Sequence, residues 1–305
     1  FVAVGITTAL ALFMIDIPYT LLAQTGYSSL TPFPLLTIPL FVLAGRLMEV
    51  GGMAKRMIGI ATNLVGAYRG SMGLVTVFAC MLFAALSGSG PATTAAIGSV
   101  TVPAMKREGY DVPFAAAITA SAGALGSLIP PSNLIISYGL VSETSIPRLF
   151  LAGVLPGIVV TALLMITTYI IARRKGYGGS GAPFSWKPFL RASWEGKWAI
   201  GAPVIILGGI YGGVFTPTEA ASVAVFYALF VGFFAYGDLT VQKVIDALRF
   251  TALLTGILIL ISPTLAFGQL SAFYDVPTAV QEAITSVTQN TFLILILIGI
   301  FYIFI

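Results

Sequence analysis

The sequence has no histidine and a single cysteine, Cys80, among its 305 residues. The absence of histidine excludes imidazole zinc sites, Ser-His-Asp triads and histidine proton relays. One cysteine cannot form an intramolecular disulfide, and its place inside an apolar run indicates packing. Charged residues make up only 9% of the chain, whereas soluble domains carry about 25%. Disordered, coiled-coil and nucleic-acid-binding proteins are therefore excluded, because each needs abundant charge.

Apolar residues take the place of the missing charge, at 58% of the chain. They form long runs, and a helix that spans the lipid bilayer needs about 20 such residues. We therefore predict an all-α polytopic membrane protein. Both ends of the chain lie inside apolar runs, so we expect the native protein to be longer. The runs are residues 1–23, 33–48, 72–104, 114–141, 149–172, 198–215, 220–236, 250–273 and 291–305.

Basic residues indicate how these runs cross the membrane, because Lys and Arg favour cytoplasmic loops. Run 72–104 has basic residues on both sides, which a single span cannot accommodate. We therefore predict a re-entrant helical hairpin with its polar tip near the middle of the membrane. Every Lys and Arg except Arg148 then falls on the cytoplasmic side, including those of the linker 173–197. The basic residues that flank the hairpin are Lys55, Arg56, Arg69, Lys106 and Arg107.

Several shorter features accompany the runs. Segment 50–70 is amphipathic, which predicts an interfacial helix, and loops are predicted at 24–32, 237–249 and 274–290. Asp16 is the only acidic residue well inside an apolar run, so it is either a functional acid or an interfacial residue.

A helix start is predicted where Thr216-Pro217-Thr218-Glu219 forms a potential capping box. In that case Thr216 is the N-cap and Glu219 the third helical residue. The alternative is that Glu219 contacts an ion or a partner protein.

The first motif with chemical potential is Ser87-Gly88-Ser89-Gly90-Pro91, in the middle of run 72–104. Its hydroxyls and open carbonyls suit a hard monovalent cation, and it lacks the carboxylates that calcium sites use. Pro91 fits the first turn of a helix whose positive N-terminus suits an anionic group. The alternative is that these small residues only permit close helix packing.

The second motif is Gly126-Ser127-Leu128-Ile129-Pro130-Pro131-Ser132-Asn133. Two adjacent prolines remove two amide donors and disfavour helix before them, so we predict an unwound helix; a simple proline kink is the alternative. A polar hairpin tip together with a broken helix is typical of substrate and coupling-ion sites in transporters. The predicted substrate-binding residues are Ser87, Gly88, Ser89, Gly90, Pro91, Pro130, Pro131, Ser132 and Asn133.

These motifs resemble the large membrane (M) subunit of tripartite ATP-independent periplasmic (TRAP) transporters. The resemblance covers nearly all of the chain. It is carried by Phe33–Gly45, Leu86–Lys106 with Gly109-Tyr110, Ile129–Ser132, Phe150–Gly157 and Gly208–Ala220.

The resemblance implies a multi-pass protein of the bacterial inner membrane that imports an organic anion with Na⁺. Dicarboxylates and sialic acids are the substrates it suggests. It also implies an elevator mechanism, inverted repeats, a small four-helix membrane subunit (Q) and a periplasmic substrate-binding protein (P). By motif, the sodium site would use Ser87 and Ser89 with the backbone around Gly126, Ile129 and Ser132.

The resemblance also suggests a division of the chain. Residues 1–71 would be scaffold helices with an interfacial arm, and 72–148 the first transport repeat. Residues 149–272 would be scaffold around linker 173–197, and 273–305 the start of a second repeat. A second hairpin and broken helix, with a second ion site, are expected beyond this sequence.

Other functions stay open from the residues alone. A passive ion or anion channel could use the two breaks as a filter, and a proton-coupled carrier would need an acidic relay, for which only Asp16 is available. An intramembrane hydrolase lacks its paired acids or histidines. We expect no Arg or Lys at the depth of the hairpin tip, so anion recognition would depend on hydroxyls, backbone amides and helix dipoles.

Overall fold

The computed structural model describes residues 2–14, 18, 20–66, 68, 70–178, 185–256 and 261–304, and every regular element within them is a helix. The chain divides into two compact units, Phe33–Gly256 and the combination of Phe1–Pro32 with Ile257–Ile305. The helices are α1 (Val2–Met14), α2 (Thr20–Leu30), α3 (Thr37–Val50), α4 (Met53–Val65), α5 (Ser71–Ser87), α6 (Gly90–Arg107), α7 (Val112–Gly123), α8 (Leu125–Leu128), α9 (Asn133–Val141), α10 (Ile146–Lys175), α11 (Trp186–Glu195), α12 (Lys197–Tyr211), α13 (Pro217–Phe230), α14 (Val241–Gly256), α15 (Ile261–Phe273), α16 (Val276–Val287) and α17 (Thr291–Phe304).

Helices of membrane-spanning length confirm the predicted class. Among the described residues, Phe33–Val50, Ile146–Lys175 and Pro217–Ala235 are long and apolar enough to cross a bilayer. The first adds a 3-10 turn to α3, and the last adds a π-helical segment to α13. Shorter apolar helices include α5, α12 and much of α1 and α17. The chain is an all-α polytopic membrane protein.

Run 72–104 folds as the predicted hairpin. Its arms, α5 and α6, are joined only by Gly88 and Ser89, and Gly88 has a φ of +60° that favours glycine. Away from this tip, the Thr76 hydroxyl lies 4.0 Å from the sulfur of Met105, so the arms run antiparallel. That the hairpin is re-entrant, with its tip near the middle of the membrane, stays a prediction, as does the side from which it enters.

Run 114–141 is the predicted broken helix. A non-helical stretch separates α8 from α9, the flanking helices are bent by 43°, and the Pro130–Pro131 peptide bond is cis. Neither proline has an amide proton for a helix. Ser132 then caps α9, because its hydroxyl accepts a hydrogen bond from the Ile135 amide at 3.4 Å.

Helix α10 packs along both of these elements. A Cβ added to Gly153 would lie 2.9 Å from the Leu128 carbonyl oxygen, and one on Gly157 would lie 2.6 Å from Cγ1 of Ile129. The glycines therefore let α10 approach the break closely. The predicted boundary between repeat 72–148 and the scaffold that follows it stays a prediction.

A clasp of four residues, Tyr110, Asp111, Lys175 and Tyr177, joins the end of α10 to the turn between α6 and α7. Lys175 Nζ lies 2.5 Å from Asp111 Oδ2, and the Tyr177 hydroxyl donates to the same oxygen at 2.7 Å. The rings of Tyr110 and Tyr177 stack with centroids 4.3 Å apart. The clasp thus fixes one end of α10 to the base of the hairpin.

The clasp predicts a pH-dependent stability. Hydrogen bonds from Lys175 and Tyr177 lower the pKa of the Asp111 carboxyl group. Such a group stabilises the fold above its unfolded pKa, about 3.9, and the contribution is lost as the pH falls through the folded value. We expect Asp111→Asn to lower the melting temperature at neutral pH, and this difference to shrink below about pH 4.

Thermal unfolding of the detergent-solubilised protein between about pH 3 and 7 measures this effect. Asp246→Asn is the matched control, because Asp246 is exposed and its partners lie within its own helix, Arg249 at 3.7 Å and the Gln242 side-chain amide at 3.2 Å. A difference between wild type and Asp111→Asn that stayed constant over the whole pH range would contradict the prediction.

Segment 50–70 contains α4, which is amphipathic as predicted, while its position at the membrane interface stays a prediction. Its polar side holds Arg56, which pairs with Asp238 at 2.5 Å and lies over the ring of Tyr236, 3.6 Å from its centroid. Its apolar side packs mainly on α5. The buried residues of α4 are Met53, Ala54, Met57, Ile58, Ile60, Ala61 and Val65.

Three predicted loops are partly helical, so these predictions were wrong. Helix α2 continues to Leu30 inside 24–32, α14 begins at Val241 inside 237–249, and α16 occupies most of 274–290. Helices α14 and α16 are amphipathic, and a count of apolar run lengths averages their two faces. In α14 the apolar residues at helical spacing are Val241, Val244, Ile245 and Leu248.

Some predictions fall outside the described residues. Asp16, Arg69 and part of the linker, 179–184, are among them. Run 1–23 contains α1 and the start of α2, and run 250–273 contains the end of α14 and all of α15.

The predicted capping box at the start of α13 is confirmed. The Glu219 amide donates to the Thr216 hydroxyl at 3.3 Å, and the Thr216 amide donates to the Glu219 carboxylate at 2.8 Å. Two amides at the helix start are thereby satisfied. An additional contact of Glu219 with an ion or partner is untested.

Removing this cap is expected to destabilise the protein. Thr216→Ala deletes the acceptor for the Glu219 amide, so we expect the melting temperature to fall by about 2 to 4 °C. Thr62→Ala is the control, because Thr62 lies within α4 and bonds only the Ile58 carbonyl of its own helix. Equal melting temperatures for Thr216→Ala and wild type would contradict a stabilising cap.

Candidate functional site

The hairpin tip and the break between α8 and α9 lie against each other. The Asn133 amide donates to the Gly88 carbonyl at 3.0 Å, and the Gly90 amide donates to the Ser127 hydroxyl at 3.2 Å. A Cβ on Gly88 would lie 2.8 Å from the Pro131 carbonyl oxygen, so a larger residue would separate the two elements. The structure therefore brings together the two motifs that the sequence singled out.

Three oxygens converge on the hairpin side of this contact. The Ser87 hydroxyl lies 2.6 Å from the Thr93 hydroxyl and donates to the Ser89 carbonyl at 3.3 Å. Ser87 and Thr93 are 1% and 0% exposed. On the opposite side Gly126 leaves room for these oxygens, since a Cβ there would overlap the Thr93 hydroxyl and lie 2.5 Å from the Ser89 carbonyl oxygen.

The broken helix contributes further oxygens. The Ser132 hydroxyl, which is fully buried, donates to the Ser127 carbonyl at 2.6 Å. Asn133 Oδ1 is buried and accepts no hydrogen bond from any described residue. Buried acceptors are rarely left without a partner, so this oxygen is suited to a ligand that donates a hydrogen bond or carries positive charge.

The other predicted residues have different surroundings. The side chain of Ile129 packs against Gly157 of α10, so only its backbone is free for a ligand. Pro130 and Pro131 are buried at the break, whereas Pro91 is exposed in the first turn of α6. Ser87, Ser89, Gly126 and Ser132 therefore lie together at this contact. Ile129 could take part only through its main chain.

The chemistry of this cluster is that of neutral oxygen. Among the described residues, no group of three or more His, Cys, Asp or Glu side chains lies close enough to hold a metal ion. Hydroxyl and carbonyl oxygens without carboxylates fit a hard monovalent cation. The cluster also contains the C-terminal ends of α5 and α8, which favour cations, and the N-terminal ends of α6 and α9, which favour anions.

A narrow crevice leads to the hairpin tip between α3 and α14. Gly45 allows the close approach of α3, because a Cβ there would lie 2.9 Å from the Ser87 Cα. The enclosed volume is about 10 Å³, which holds one water-sized group. The lining residues are Val42, Gly45, Arg46, Ser87, Ser89, Ala92, Phe250 and Leu254.

Arg46 in this crevice contradicts the expectation that no Arg or Lys lies at hairpin depth. It shares the crevice with Ser87 and Ser89. The expectation was wrong because run lengths locate the end of a helix along the chain. Run lengths give no information on the depth that a neighbouring hairpin reaches beside that helix.

Two further residues of the site were missed, Thr93 and Ser127. Thr93 lies four positions after Ser89, the N-cap of α6, and this spacing places both on one face of the helix start. Ser127 lies within the second motif itself. Thr93 could have been selected from its spacing and Ser127 from its place in the motif, whereas nothing in the local sequence marks Arg46.

Comparison with known proteins identifies relatives of this chain. The sequence matches the family described as "Tripartite ATP-independent periplasmic transporter, DctM component" over residues 1–305. It is 41% identical, over 93% of its length, to the isethionate TRAP transporter permease protein DctMQ of Oleidesulfovibrio alaskensis. It is 38% identical, over 98% of its length, to the C4-dicarboxylate TRAP transporter large permease protein DctM of Rhodobacter capsulatus.

A third relative is the sialic acid TRAP transporter large permease protein SiaM of Vibrio cholerae, which is 36% identical over 92% of this chain. The chain spans 45%, 71% and 66% of the lengths of these three relatives, respectively. The family is one of transport permeases and not of enzymes. The chain belongs to the DctM family of tripartite ATP-independent periplasmic transporters.

Proposed function

We propose that this chain is part of a sodium-coupled importer of small organic anions in the bacterial inner membrane. The names of its relatives include isethionate, C4-dicarboxylates and sialic acid, all of which are organic acids. Their shared chemistry supports an anionic solute and leaves the individual compound open.

The observation that carries this proposal is the contact between the hairpin tip and the broken helix. Hydroxyl and carbonyl oxygens from Ser87, Ser89, Thr93 and Ser132 meet there. Asn133 adds a buried oxygen that accepts no hydrogen bond within the described part of the chain. Such a donor set supports coupling to Na⁺. A proton-coupled carrier would need a titratable group, and these residues supply none.

The proposal includes two partner proteins and an elevator mechanism. A periplasmic substrate-binding protein would deliver the anion, and a small four-helix membrane subunit would complete the membrane complex; the relative named DctMQ is consistent with such a subunit. The hairpin and the broken helix would move together, because hydrogen bonds from Asn133 and Gly90 join them directly.

Uptake into liposomes tests this function. The complete transporter is reconstituted, and the uptake of radiolabelled succinate, isethionate and N-acetylneuraminate is measured with the binding protein present. We expect uptake of at least one anion that requires an inward Na⁺ gradient and disappears without the binding protein. Uptake that is independent of both would favour a passive channel, and uptake driven only by a proton gradient would favour a proton-coupled carrier.

A further inference from the structure

Arg46 is half-buried and has an incomplete set of hydrogen-bond partners among the described residues. Its Nη1 donates to Glu49 Oε2 at 2.7 Å, and its guanidinium lies 5.0 Å from the centroid of the Phe250 ring. The side chain is 31% exposed. Nε is buried and donates to no described residue. A buried donor without an acceptor is unfavourable, so this edge of the guanidinium is suited to an acceptor from outside the chain.

The charge around the crevice also favours an anion. The negative charge of Glu49 compensates the positive charge of Arg46. The N-terminal end of α6, capped by Ser89, adds a partial positive charge at the same crevice. If Na⁺ binds among the oxygens of Ser87 and Thr93, a further positive charge is added nearby. An anionic group between Arg46 and the Na⁺ would offset this excess of positive charge. The low dielectric of the membrane interior strengthens the attraction between the anion and these cations.

We propose that Arg46 binds the acidic group of the transported solute at the mouth of this crevice. The proposal rests on the proposed import of an organic anion. The free edge of a guanidinium offers parallel donors that match a carboxylate or sulfonate. Because the enclosed space holds only one water-sized group, one acidic oxygen enters towards Ser87 and Ser89 while the body of the solute stays at the open mouth.

This assignment separates the recognition of the acid from the coupling to the cation. Arg46 lies on α3, whereas the oxygens proposed for Na⁺ lie on the hairpin and the broken helix. A bound anion would contact both groups of elements. Arg46 would thus select solutes that carry an acid, without selecting the rest of the molecule.

The test measures uptake kinetics of Arg46 variants in the reconstituted transporter, with the anion that wild type transports best among succinate, isethionate and N-acetylneuraminate. We expect Arg46→Gln to raise KM for the anion by about ten- to hundredfold, the effect of losing a charge-assisted hydrogen bond. Arg46→Lys should restore part of the affinity, because it keeps the charge and loses the paired donors. The Na⁺ concentration for half-maximal uptake should stay within about twofold of wild type.

Two matched variants distinguish recognition from a structural role of the Arg46–Glu49 pair. Glu49→Gln breaks the same ion pair but leaves the guanidinium in place, so KM should stay equal or fall. Arg249→Gln removes a 73% exposed charge from α14 and should leave KM unchanged.

An unchanged KM in Arg46→Gln, or an equal rise in Glu49→Gln, would overturn the inference while the proposed import stands. Failure of wild type to take up any of the three anions would contradict the proposed function, and the inference with it.

Discussion

Gly126→Ala is expected to reduce sodium-driven uptake by about ten- to hundredfold. The added methyl group would overlap the Thr93 hydroxyl and lie 2.5 Å from the Ser89 carbonyl oxygen and 2.8 Å from its carbon. The Ser89 main-chain atoms cannot move away by a rotamer change, as a side chain can, so α8 and the hairpin tip must move apart. Overpacking of this kind costs about 1–3 kcal/mol, and here it would separate the oxygens proposed to bind Na⁺. Initial rates in liposomes measure the loss.

Gly208→Ala provides the control for this substitution. Gly208 also lies within a helix, α12, and apart from the adjacent backbone of that helix no described atom lies within 4 Å of where its Cβ would be. We therefore expect wild-type uptake and a wild-type melting temperature. Melting temperatures of both variants show whether Gly126→Ala is folded, since a folded variant should melt at most a few degrees lower. Wild-type uptake in Gly126→Ala would show that the close contact is not needed for transport.

The sequence predicts the hairpin and the broken helix because both interrupt long apolar runs. Gly88 and Ser89 allow the chain to reverse, and Pro130 with Pro131 removes two helical donors. These are local effects of residue type. The distribution of basic residues adds the constraint that both ends of the hairpin lie on one side.

Other features depend on packing between distant segments and could not be read from the sequence. Arg46 lies at the tip because Gly45 lets α3 contact Ser87, and no local pattern reveals which helix packs there. The hydrogen bond from Asn133 to Gly88 likewise joins two segments whose separate motifs do not show how they meet. The helical parts of 274–290 were missed because amphipathic helices lack a long apolar run.

The same scarcity of charge that identifies a membrane protein also restricts the chemistry of its site. In the described part of the site, Ser87, Thr93 and Ser132 offer hydroxyls, and Asn133 offers an amide oxygen. None of these groups changes protonation near neutral pH. The proposed coupling would therefore act through a cation that binds them and not through their titration, which a sodium titration can test directly.

Ser87→Ala and Thr93→Val are each expected to raise the Na⁺ concentration for half-maximal uptake by about tenfold or more. Each removes one hydroxyl of a buried pair whose oxygens are 2.6 Å apart, and loss of an oxygen partner for a charged group costs about 1.5–3 kcal/mol. Uptake at saturating Na⁺ should change less, because the anion contacts at Arg46 are retained. Initial rates over a range of Na⁺ concentrations, with K⁺ as the replacing ion, give both quantities.

Thr101→Val separates loss of an ion ligand from loss of a buried hydroxyl in general. Thr101 is also fully buried in α6, but its hydroxyl bonds only the Ile97 carbonyl of the same helix. Removing the Thr101 hydroxyl should leave the sodium dependence unchanged.

Ser89→Ala removes the cap of α6 and keeps the carbonyl oxygen that faces Gly126, so its sodium dependence should shift less than that of Ser87→Ala. If Ser87→Ala and Ser89→Ala both respond to Na⁺ as wild type does, the cation binds elsewhere and the hairpin tip serves packing alone.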